Sequence, residues 1–393
     1  MIRKPVFQKS NLILWIIGLV VVLMVVLGVQ YARSGSITMQ LKPGTPINLL
    51  VIFEQDHKPL STQLLMFYPA KAKAALLDIP NNTAVILKTV KRMDRIDYTY
   101  KSENPSAYVS EIAGYLNVDL NGYILLDEKG LKDAVDLVDG IQVFIPAMVV
   151  QDGPPQVRLP GGAVTLDGDK ALQYLLYREE NESDADVITR RQKLVVALLK
   201  RVNEKSSYLS DKTVMRRFTS SIKSNLSPQS KNRLFAEMAK MDPDTILLQK
   251  ITGVNRKVDA QTLFFPFYDG ELARDMINQT LNAMTATQVA SSKVSKIFTV
   301  EILNGTTTKG LASKTSSIFE SFGYDVVAVG NAPTFDYDRT IVIDRLGDKE
   351  ALNSIASVIK CNNFGEAGDY KGSIEADFTV ILGKDFNGRV CVR

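Results

Sequence analysis

The segment INLLVIFEQDHKPLSTQLLMFYPAKAKAALLDIP, Ile47 to Pro80, decides the fold of the first part of the chain. It contains three apolar runs, INLLVIF, TQLLMFYP and AKAALLDIP, which are separated by short polar turns. Apolar runs of this length that end in turn residues indicate strands buried on both faces. We therefore expect three neighbouring strands at the centre of a covered sheet.

Helical periodicity follows these strands. PSAYVSEIAGYLN and EKGLKDAVDLVDG have the spacing of amphipathic helices, and IQVFIPAMVV then predicts another strand. Four helical segments come next: RRQKLVVALLKRV, DKTVMRRFTSSIKSNL, SPQSKNRLFAEMAKM and YDGELARDMINQTLNAM. This alternation predicts an α/β domain at residues 46–284, with α-β-α layers around a central mixed sheet.

A second, smaller domain is predicted after the polar stretch TATQVASSKVSK, residues 285–296, which reads as a linker. Beyond it, IFTVEILNGT, YDVVAVGNA, TIVID and DFTVILG predict strands, and GLASKTSSIFESFG and KEALNSIASVIK predict helices. These elements predict a compact α+β domain at residues 297–387. A short tail, residues 388–393, follows it.

The N-terminal region contains the uncharged run LILWIIGLVVVLMVVLGV, Leu12 to Val29, which is long enough as a helix to cross a bilayer. Basic residues are concentrated before it, so the positive-inside bias predicts a cytoplasmic tail (1–11), one transmembrane anchor (12–31) and a tether (32–45). The bulk of the chain would then lie outside the inner membrane. A cleaved signal peptide is the alternative, although VQYARSG is a poor cleavage site.

Composition excludes several classes of function. The net charge of +4 is modest and the basic residues are scattered, so nucleic-acid binding is not indicated. His57 is the only histidine, which leaves little material for an HExxH zinc site or a Ser-His-Asp triad. Cys361 and Cys391 are the only cysteines, and a disulfide and two free thiols both remain open. Any chemistry must therefore rest on Arg, Lys, Asp and Glu.

An unusual charge pattern occurs in LDGDKALQYLLYREENESDADVITRRQ, Leu166 to Gln192. It predicts a helix ending in Arg178, an acidic break, and a second helix opened by Arg190 and Arg191. The acids of the break are Glu179, Glu180, Glu182, Asp184 and Asp186. Either the arginines face an anionic ligand while the acids bind a metal or face water, or a former phosphate site has been eroded.

Several segments, in order, resemble one family. LDGDKALQYLLYR with its later RQ is similar to the LDGxxALxYxRxR and RQ signature of the LytR-CpsA-Psr proteins, which are membrane-anchored and assemble the bacterial cell envelope. KAALLDIPNNT resembles the family's stretch ending IPRDT, and DGIQVFIP resembles its GGVxVxVP. VEILNGTTTKGLASKTSSIFESFGYDV resembles the separate C-terminal domain often attached to these proteins.

The resemblance implies transfer of a glycopolymer from a polyprenyl-pyrophosphate carrier to peptidoglycan. Arginine forks would bind the pyrophosphate, and carboxylates would hold Mg²⁺. On this resemblance the catalytic residues are Arg178 and Arg191. The substrate-binding set is Arg178, Arg190, Arg191, Gln192 and Lys58, and the metal set is Glu54, Asp184 and Asp186.

This chain departs from the family pattern at charged positions. Glu180 stands where we expect the second arginine of YxRxR, and Ile188 stands where an arginine precedes the RQ arginine. Asn81 and Asn82 replace an Arg-Asp pair, and Lys58 and Leu60 take the positions of an arginine and an aspartate before the second strand. Three lost arginines and one added acid shift the site by roughly four charges toward negative, and each lost charge-assisted contact weakens anion binding by about 1.5 to 3 kcal/mol.

Three hypotheses follow. The first is an envelope protein that keeps the fold for binding or scaffolding, with weak or lost catalysis. The alternative is an active phosphotransferase with a rearranged site that uses Mg²⁺. The third is an architectural role, in which residues 297–393 dock other envelope proteins.

Overall fold

The computed structural model describes residues 44–88, 90–153, 156–179, 182–286, 298–366 and 376–392. The apolar run Leu12 to Val29, most of the predicted linker and Glu180 lie outside the described residues. Across the described ranges, no helix is both long and apolar enough to cross a membrane.

The first domain alternates strands and helices as its sequence predicts. Its strands are β1 (Ile47–Gln55), β2 (Lys58–Tyr68), β3 (Lys73–Ile79), β4 (Ala84–Leu87), β5 (Arg92–Arg95), β6 (Gly122–Leu126), β7 (Ile141–Ile145), β8 (Val149–Gln151), β9 (Val157–Leu159), β10 (Gly162–Leu166), β11 (Lys223–Ser224), β12 (Leu247–Lys250), β13 (Gly253–Val258) and β14 (Gln261–Pro266). Its helices are α1 (Ser106–Leu116), α2 (Glu128–Leu137), α3 (Gly168–Leu176), α4 (Asp184–Glu204), α5 (Ser206–Leu209), α6 (Lys212–Ser220), α7 (Pro228–Met238) and α8 (Glu271–Thr285).

A mixed sheet forms the centre of this domain, with strand order β11-β6-β1-β2-β3-β12. The three opening strands pair antiparallel in sequence order, while β6 and β12 lie parallel to β1 and β3. β1 and β3 therefore run in the same direction. Their carboxyl ends lie at one edge of the sheet, where ligand sites of α/β folds are commonly found.

Helices cover both faces of the sheet, which confirms the predicted layers. Leu49 and Phe53 of β1 face a core that includes α2, α3, α4, α6 and α7. Leu50 and Ile52 face the opposite core, which includes α1 and α8. Because successive strand residues point to opposite faces, an uninterrupted apolar run is what a doubly covered strand requires.

The start of α3 shows what part of the LDG motif does structurally. Asp167 caps the helix by accepting a hydrogen bond from the amide of Lys170 at 2.9 Å. A Cβ at Gly168 would lie 2.6 Å from the carbonyl oxygen of Lys132 on α2, so only glycine allows the two helices to approach this closely. These two motif residues therefore begin and pack a helix.

Some element boundaries differ from the sequence predictions. IQVFIPAMVV is two strands, β7 and β8, because Pro146 cannot continue a ladder of hydrogen bonds. The helix predicted to end in Arg178 ends at Leu176, and the helix predicted to open at Arg190 begins at Asp184. Arg178 therefore lies beyond the end of α3, and Arg190 lies in the second turn of α4.

The second domain contains β15 (Thr299–Asn304), α9 (Leu311–Ser321), β16 (Asp325–Asn331), β17 (Ile341–Asp344), α10 (Lys349–Val358), β18 (Phe364–Glu366) and β19 (Phe378–Leu382). Its sheet has the order β16-β15-β19-β17-β18. Apolar residues of this domain, including Val300 and Phe319, continue the same core that α1 and α8 form on the first domain.

Candidate functional site

Three separate segments of the first domain, α4, β2 and β3, meet at the carboxyl edge of β1 and β3. Arg191 on α4 donates from Nη1 to the carbonyl oxygen of Leu60 on β2 at 2.9 Å. Asp78 lies near the end of β3, and burial lowers the pKa of Arg191 while the charge of Asp78 opposes this effect. The segments that the sequence linked to one site therefore meet in space.

Asp78 is the residue that sequence reasoning missed. Its carboxyl group is buried, with 5% of the residue exposed. Burial raises the pKa of Asp78 from 3.8 to about 7, and the positive charge of Arg191 acts in the opposite direction. The available signal was an acid inside the apolar run KAALLDIP, because a charge within a buried strand needs a partner.

Arg190 turns inward, but its bonds are to the protein itself. Its guanidinium donates to the carboxylate of Glu182 and to the carbonyl oxygen of Tyr177. It also lies over the ring of Tyr177, with 4.7 Å between the guanidinium carbon and the ring centroid. The side chains of Arg190 and Glu182 are only 9% and 12% exposed. Arg190 is therefore neutralised by the acidic loop.

Arg178 is held in a second, exposed ion pair. Its Nη2 lies 2.6 Å from Oδ1 of Asp184, the first residue of α4. The other carboxylate oxygen of Asp184 accepts from Nδ2 of Asn255 at 3.3 Å, and the side chain of Asn82 contacts Asn255 at 3.4 Å. Arg178 and the β3–β4 loop are thus joined through one polar chain. Because Arg178 follows α3 by two residues, its pairing with Asp184 accounts for its position better than a helix-dipole effect does.

Gln192 bonds to other parts of the protein, and Lys58 is exposed at the start of β2. The buried amide of Gln192 donates to the carbonyl oxygens of Leu76 at 3.2 Å and Gln249 at 2.7 Å, and so it ties α4 to β3 and β12. Lys58 begins β2 and is exposed to solvent. The substrate-binding roles of these two residues stay predictions without support from their contacts.

The three carboxylates predicted to hold Mg²⁺ each have a different protein partner. Glu54 is buried at the end of β1, where it accepts from the hydroxyls of Tyr100 and Ser102. Asp184 pairs with Arg178, and Asp186 accepts from the hydroxyl of Ser183, the N-cap of α4, at 2.6 Å. Within the described ranges no group of three or more acids, histidines or cysteines could hold a metal ion. The residues present therefore do not fit the magnesium site that the resemblance implies.

Comparison with known families identifies both domains. The model of the LytR_cpsA_psr family matches residues 55–282, which is more than half of the chain. The chain belongs to the LytR-CpsA-Psr family. A second match, described as LytR cell envelope-related transcriptional attenuator, covers residues 298–386.

Relatives within the family are distant. The chain is 25% identical over 160 residues to an Enterococcus faecalis polyisoprenyl-teichoic acid–peptidoglycan teichoic acid transferase TagU, covering 40% of this chain and 52% of that protein. It is 22% identical over 246 residues to a TagU protein of Bacillus anthracis, covering 56% of this chain and 80% of that protein. The crystal structure of TagV from B. subtilis matches with a TM-score of 0.54 at 19% identity, covering 62% of this chain and 98% of that chain. At this identity the structural likeness establishes the fold alone.

The LytR-CpsA-Psr motif can be placed on this chain without gaps. Laying LDGxxALxYxRxR on Leu166 to Arg178 puts the first motif arginine at Leu176 and the second at Arg178. The earlier pairing of Arg178 with the first arginine and Glu180 with the second is therefore two residues out of step. One motif arginine is still absent, but its position is that of Leu176, the last residue of α3.

A cleft of about 1980 Å³ extends from this site along α4 to the second domain. Tyr177, Glu182 and Arg190 line its inner end, so the buried ion pair forms part of its wall. Aromatic rings recur along the cleft. They are contributed by Phe144, Tyr174, Tyr177, Phe298, Phe322 and Tyr324. Phe144 is 67% exposed and is the most accessible of these rings.

Proposed function

We propose that this LytR-CpsA-Psr protein binds an envelope glycopolymer in the cleft beside α4 and has weak or no transferase activity. Its relatives are named as enzymes that join polyisoprenyl-linked teichoic acid to peptidoglycan, so the class of ligand is carried over from them. The observation that carries the proposal is that the site arginines already bond to protein acceptors. Arg178 is paired with Asp184, Arg190 with Glu182, and Arg191 with the Leu60 carbonyl beside Asp78.

Internal pairing matters because a diphosphate has to displace it. A charge-assisted hydrogen bond contributes about 1.5 to 3 kcal/mol, so a ligand that replaces three existing bonds gains little from the exchange. The displaced carboxylates would also remain beside the bound anion and repel it. The sequence substitutions and the contacts thus support the same conclusion.

The cleft offers a different kind of recognition. Sugar rings present flat apolar faces between hydroxyl groups, so they suit a wall on which an accessible aromatic ring lies among charged and amide side chains. Tyr174, Tyr177 and Phe322 are nearly buried. Phe144 on β7 is the most accessible of the aromatic positions. We place the glycan part of the ligand, and not its diphosphate, in contact with this wall.

Localisation completes the proposal. The family membership makes this a cell-envelope protein, and the apolar run Leu12 to Val29 would anchor it in the inner membrane with both domains outside. A protease-protection experiment on intact cells and on inverted membrane vesicles tests this arrangement. Both domains should be digested only when the outer face of the membrane is accessible.

The activity test uses the purified full chain in detergent with a polyisoprenyl-diphosphate-linked teichoic acid precursor and peptidoglycan. Release of polyisoprenyl phosphate should stay at the background rate, and Arg191→Ala should not change it. Turnover that falls a hundredfold or more in Arg191→Ala would overturn the proposal, because that is the loss expected when a transition-state donor is removed.

The binding test uses the glycopolymer without its lipid carrier. We expect retention by the wild-type chain and about tenfold weaker retention by Phe144→Ser, equivalent to about 1.4 kcal/mol of lost contact. Phe335→Ser is the matched control, because Phe335 is 48% exposed and is not among the residues that line the cleft. Equal loss in both variants, or none in Phe144→Ser, would remove the cleft from the proposal.

The second candidate is an active phosphotransferase. It is favoured by the position of Glu54 at the end of β1, by the bond from Arg191 to Leu60 at the start of β2, and by the polar chain that links Arg178 through Asp184 and Asn255 to the β3–β4 loop. It would require Mg²⁺ and the release of Arg178 from Asp184. Turnover that depends on added Mg²⁺ and on Arg178 would establish it in place of the first proposal.

A further inference from the structure

The chain end after β19 folds back onto the second domain. Phe386 and Cys391 form an isolated bridge between antiparallel segments. The amide of Cys391 donates to the carbonyl oxygen of Ile359 at 2.8 Å, and the amide of Val392 donates to that of Asp385 at 2.8 Å. These bonds hold Cys391 against the turn that follows α10. Cys361 lies in that same turn.

Both cysteines lie in one apolar cluster, with Cys361 inside it and Cys391 partly buried against it. Cys361 is buried, and its sulfur lies 3.4 Å from the carbonyl oxygen of Thr340. Cys391 lowers the pKa of Cys361, and Cys361 together with burial raises the pKa of Cys391. The sequence has no other cysteine with which either could pair within the chain.

We infer that Cys361 and Cys391 are a site of disulfide formation that fastens the chain end to the second domain. The reaction requires a disulfide oxidant, either a small-molecule disulfide or a thiol-disulfide oxidoreductase. Cys391, the more accessible cysteine, loses its proton and attacks one oxidant sulfur, and the other oxidant sulfur leaves as a thiol. Cys361 then loses its proton and attacks the sulfur of Cys391, which displaces the second oxidant thiol and forms the Cys361–Cys391 bond. The cysteines lose two electrons and two protons, and the oxidant gains them.

The bond would secure a contact between the two domains. Arg389, two residues before Cys391, donates from Nη2 to the carboxylate of Asp275 on α8 at 2.7 Å. Its Nη1 donates to the carbonyl oxygen of Val358 at 2.8 Å, and the side chain is only 8% exposed. Tyr268 of the first domain donates its hydroxyl to the carbonyl oxygen of Gly388. Fixing Cys391 to Cys361 therefore restrains the segment that carries these contacts.

Loop closure gives the expected size of the effect. The bond would close a loop of about 30 residues, and restricting such a loop in the unfolded chain should raise the melting temperature of the second domain by on the order of 10 °C. The increase should disappear on treatment with dithiothreitol. This inference does not depend on whether the first domain transfers or only binds a glycopolymer.

The experiment uses the purified full chain in detergent, first reduced and then equilibrated with oxidised glutathione under native conditions. Peptide mass mapping should give one linked pair, containing Cys361 and Cys391, with the loss of two hydrogens. Thermal unfolding should show the dithiothreitol-sensitive shift. Two alkylatable thiols after oxidation, stable glutathione adducts, or links only between chains would each overturn the inference.

Two variants separate the bond from general effects of redox conditions. Cys391→Ser should fold, because Cys391 is only partly buried, and its melting temperature should not respond to oxidant or reductant. Arg389→Ala keeps both thiols and should still form the bond. A redox-dependent shift of equal size in Cys391→Ser would show that the stabilisation has another source and would refute the assignment.

Discussion

Replacing Asp78 with asparagine should change how the stability of the first domain depends on pH. Burial raises the folded-state pKa of Asp78 to about 7, whereas the carboxyl group has its ordinary value of 3.8 when the chain unfolds. A carboxyl group whose pKa is higher in the folded state than in the unfolded state stabilises the fold fully when the pH is below its unfolded-state pKa. That stability is lost as the pH rises through the folded value, because the buried group must then ionise.

The magnitude follows from the two pKa values. The difference between the two pKa values corresponds to about 4 kcal/mol of folding stability in total. About 2.5 kcal/mol of this is lost between pH 5 and pH 8. The wild-type free energy of unfolding should therefore drop by about 2.5 kcal/mol more than that of Asp78→Asn between these two pH values. Asparagine has no charge to ionise, and its volume is nearly the same.

The assay is guanidinium denaturation followed by circular dichroism, at pH 5 and at pH 8, for wild type, Asp78→Asn and a control. Asp152→Asn is the control, because the Asp152 side chain is 79% exposed and pairs only with an exposed arginine. The control should follow the wild type. If Asp78→Asn has the same pH dependence as the wild type, the carboxyl group is not held protonated by burial and the reasoning fails.

Three further predictions concern the ion pairs and the buried amide. Arg190→Ala should lower the free energy of unfolding by about 3 to 5 kcal/mol, because it leaves the buried carboxylate of Glu182 without its cation. Arg178→Ala removes an exposed ion pair and should lower the free energy of unfolding by less than about 1 kcal/mol. Denaturant titration of both variants measures the contrast, and equal losses would contradict it. Gln192→Leu should lower the free energy of unfolding by about 1 to 3 kcal/mol, because two buried carbonyl groups lose their donor. The same denaturant titration measures this loss, with Lys193→Gln as the exposed control. An unchanged free energy of unfolding would show that neither hydrogen bond stabilises the fold. Asp184→Asn should free Arg178 and strengthen the binding of inorganic pyrophosphate about tenfold at low salt, measured by calorimetry, with the gain fading as salt is added. Unchanged affinity would show that Asp184 does not compete with the anion for Arg178.

The fold could be predicted from sequence where burial sets the pattern. The three opening strands and the helices on both faces follow from apolar runs and helical spacing, because doubly covered strands and amphipathic helices have few alternatives. The β4–β5 hairpin was missed. Its strand residues, AVIL and RMDR, include exposed apolar and charged side chains and lack the alternation that marks a half-buried strand.

The site was only partly predictable. Motif order pointed to Arg178, Arg191 and the Asn81–Asn82 loop. In the structure Arg191 bonds to Leu60, and Arg178 is linked to Asn82 through Asp184 and Asn255. The partner of each arginine could not be read from the sequence. Arg190 bonds to Glu182 across a loop, where neither helical nor strand periodicity fixes the direction of a side chain. Asp78 was missed although it interrupts an apolar run, because the sequence alone does not show which side chain would lie beside it.

The glycine at the start of α3 affects how members of this family are recognised from their amino-acid sequences. Gly168 allows two helices to pack closely and its neighbour Asp167 caps a helix, and neither role depends on the reaction. A search weighted toward LDG will therefore retrieve chains that share this helix packing, whatever reaction they carry out. The nearby arginine positions, and the groups that each arginine contacts, are a better guide to which family members have transferase activity.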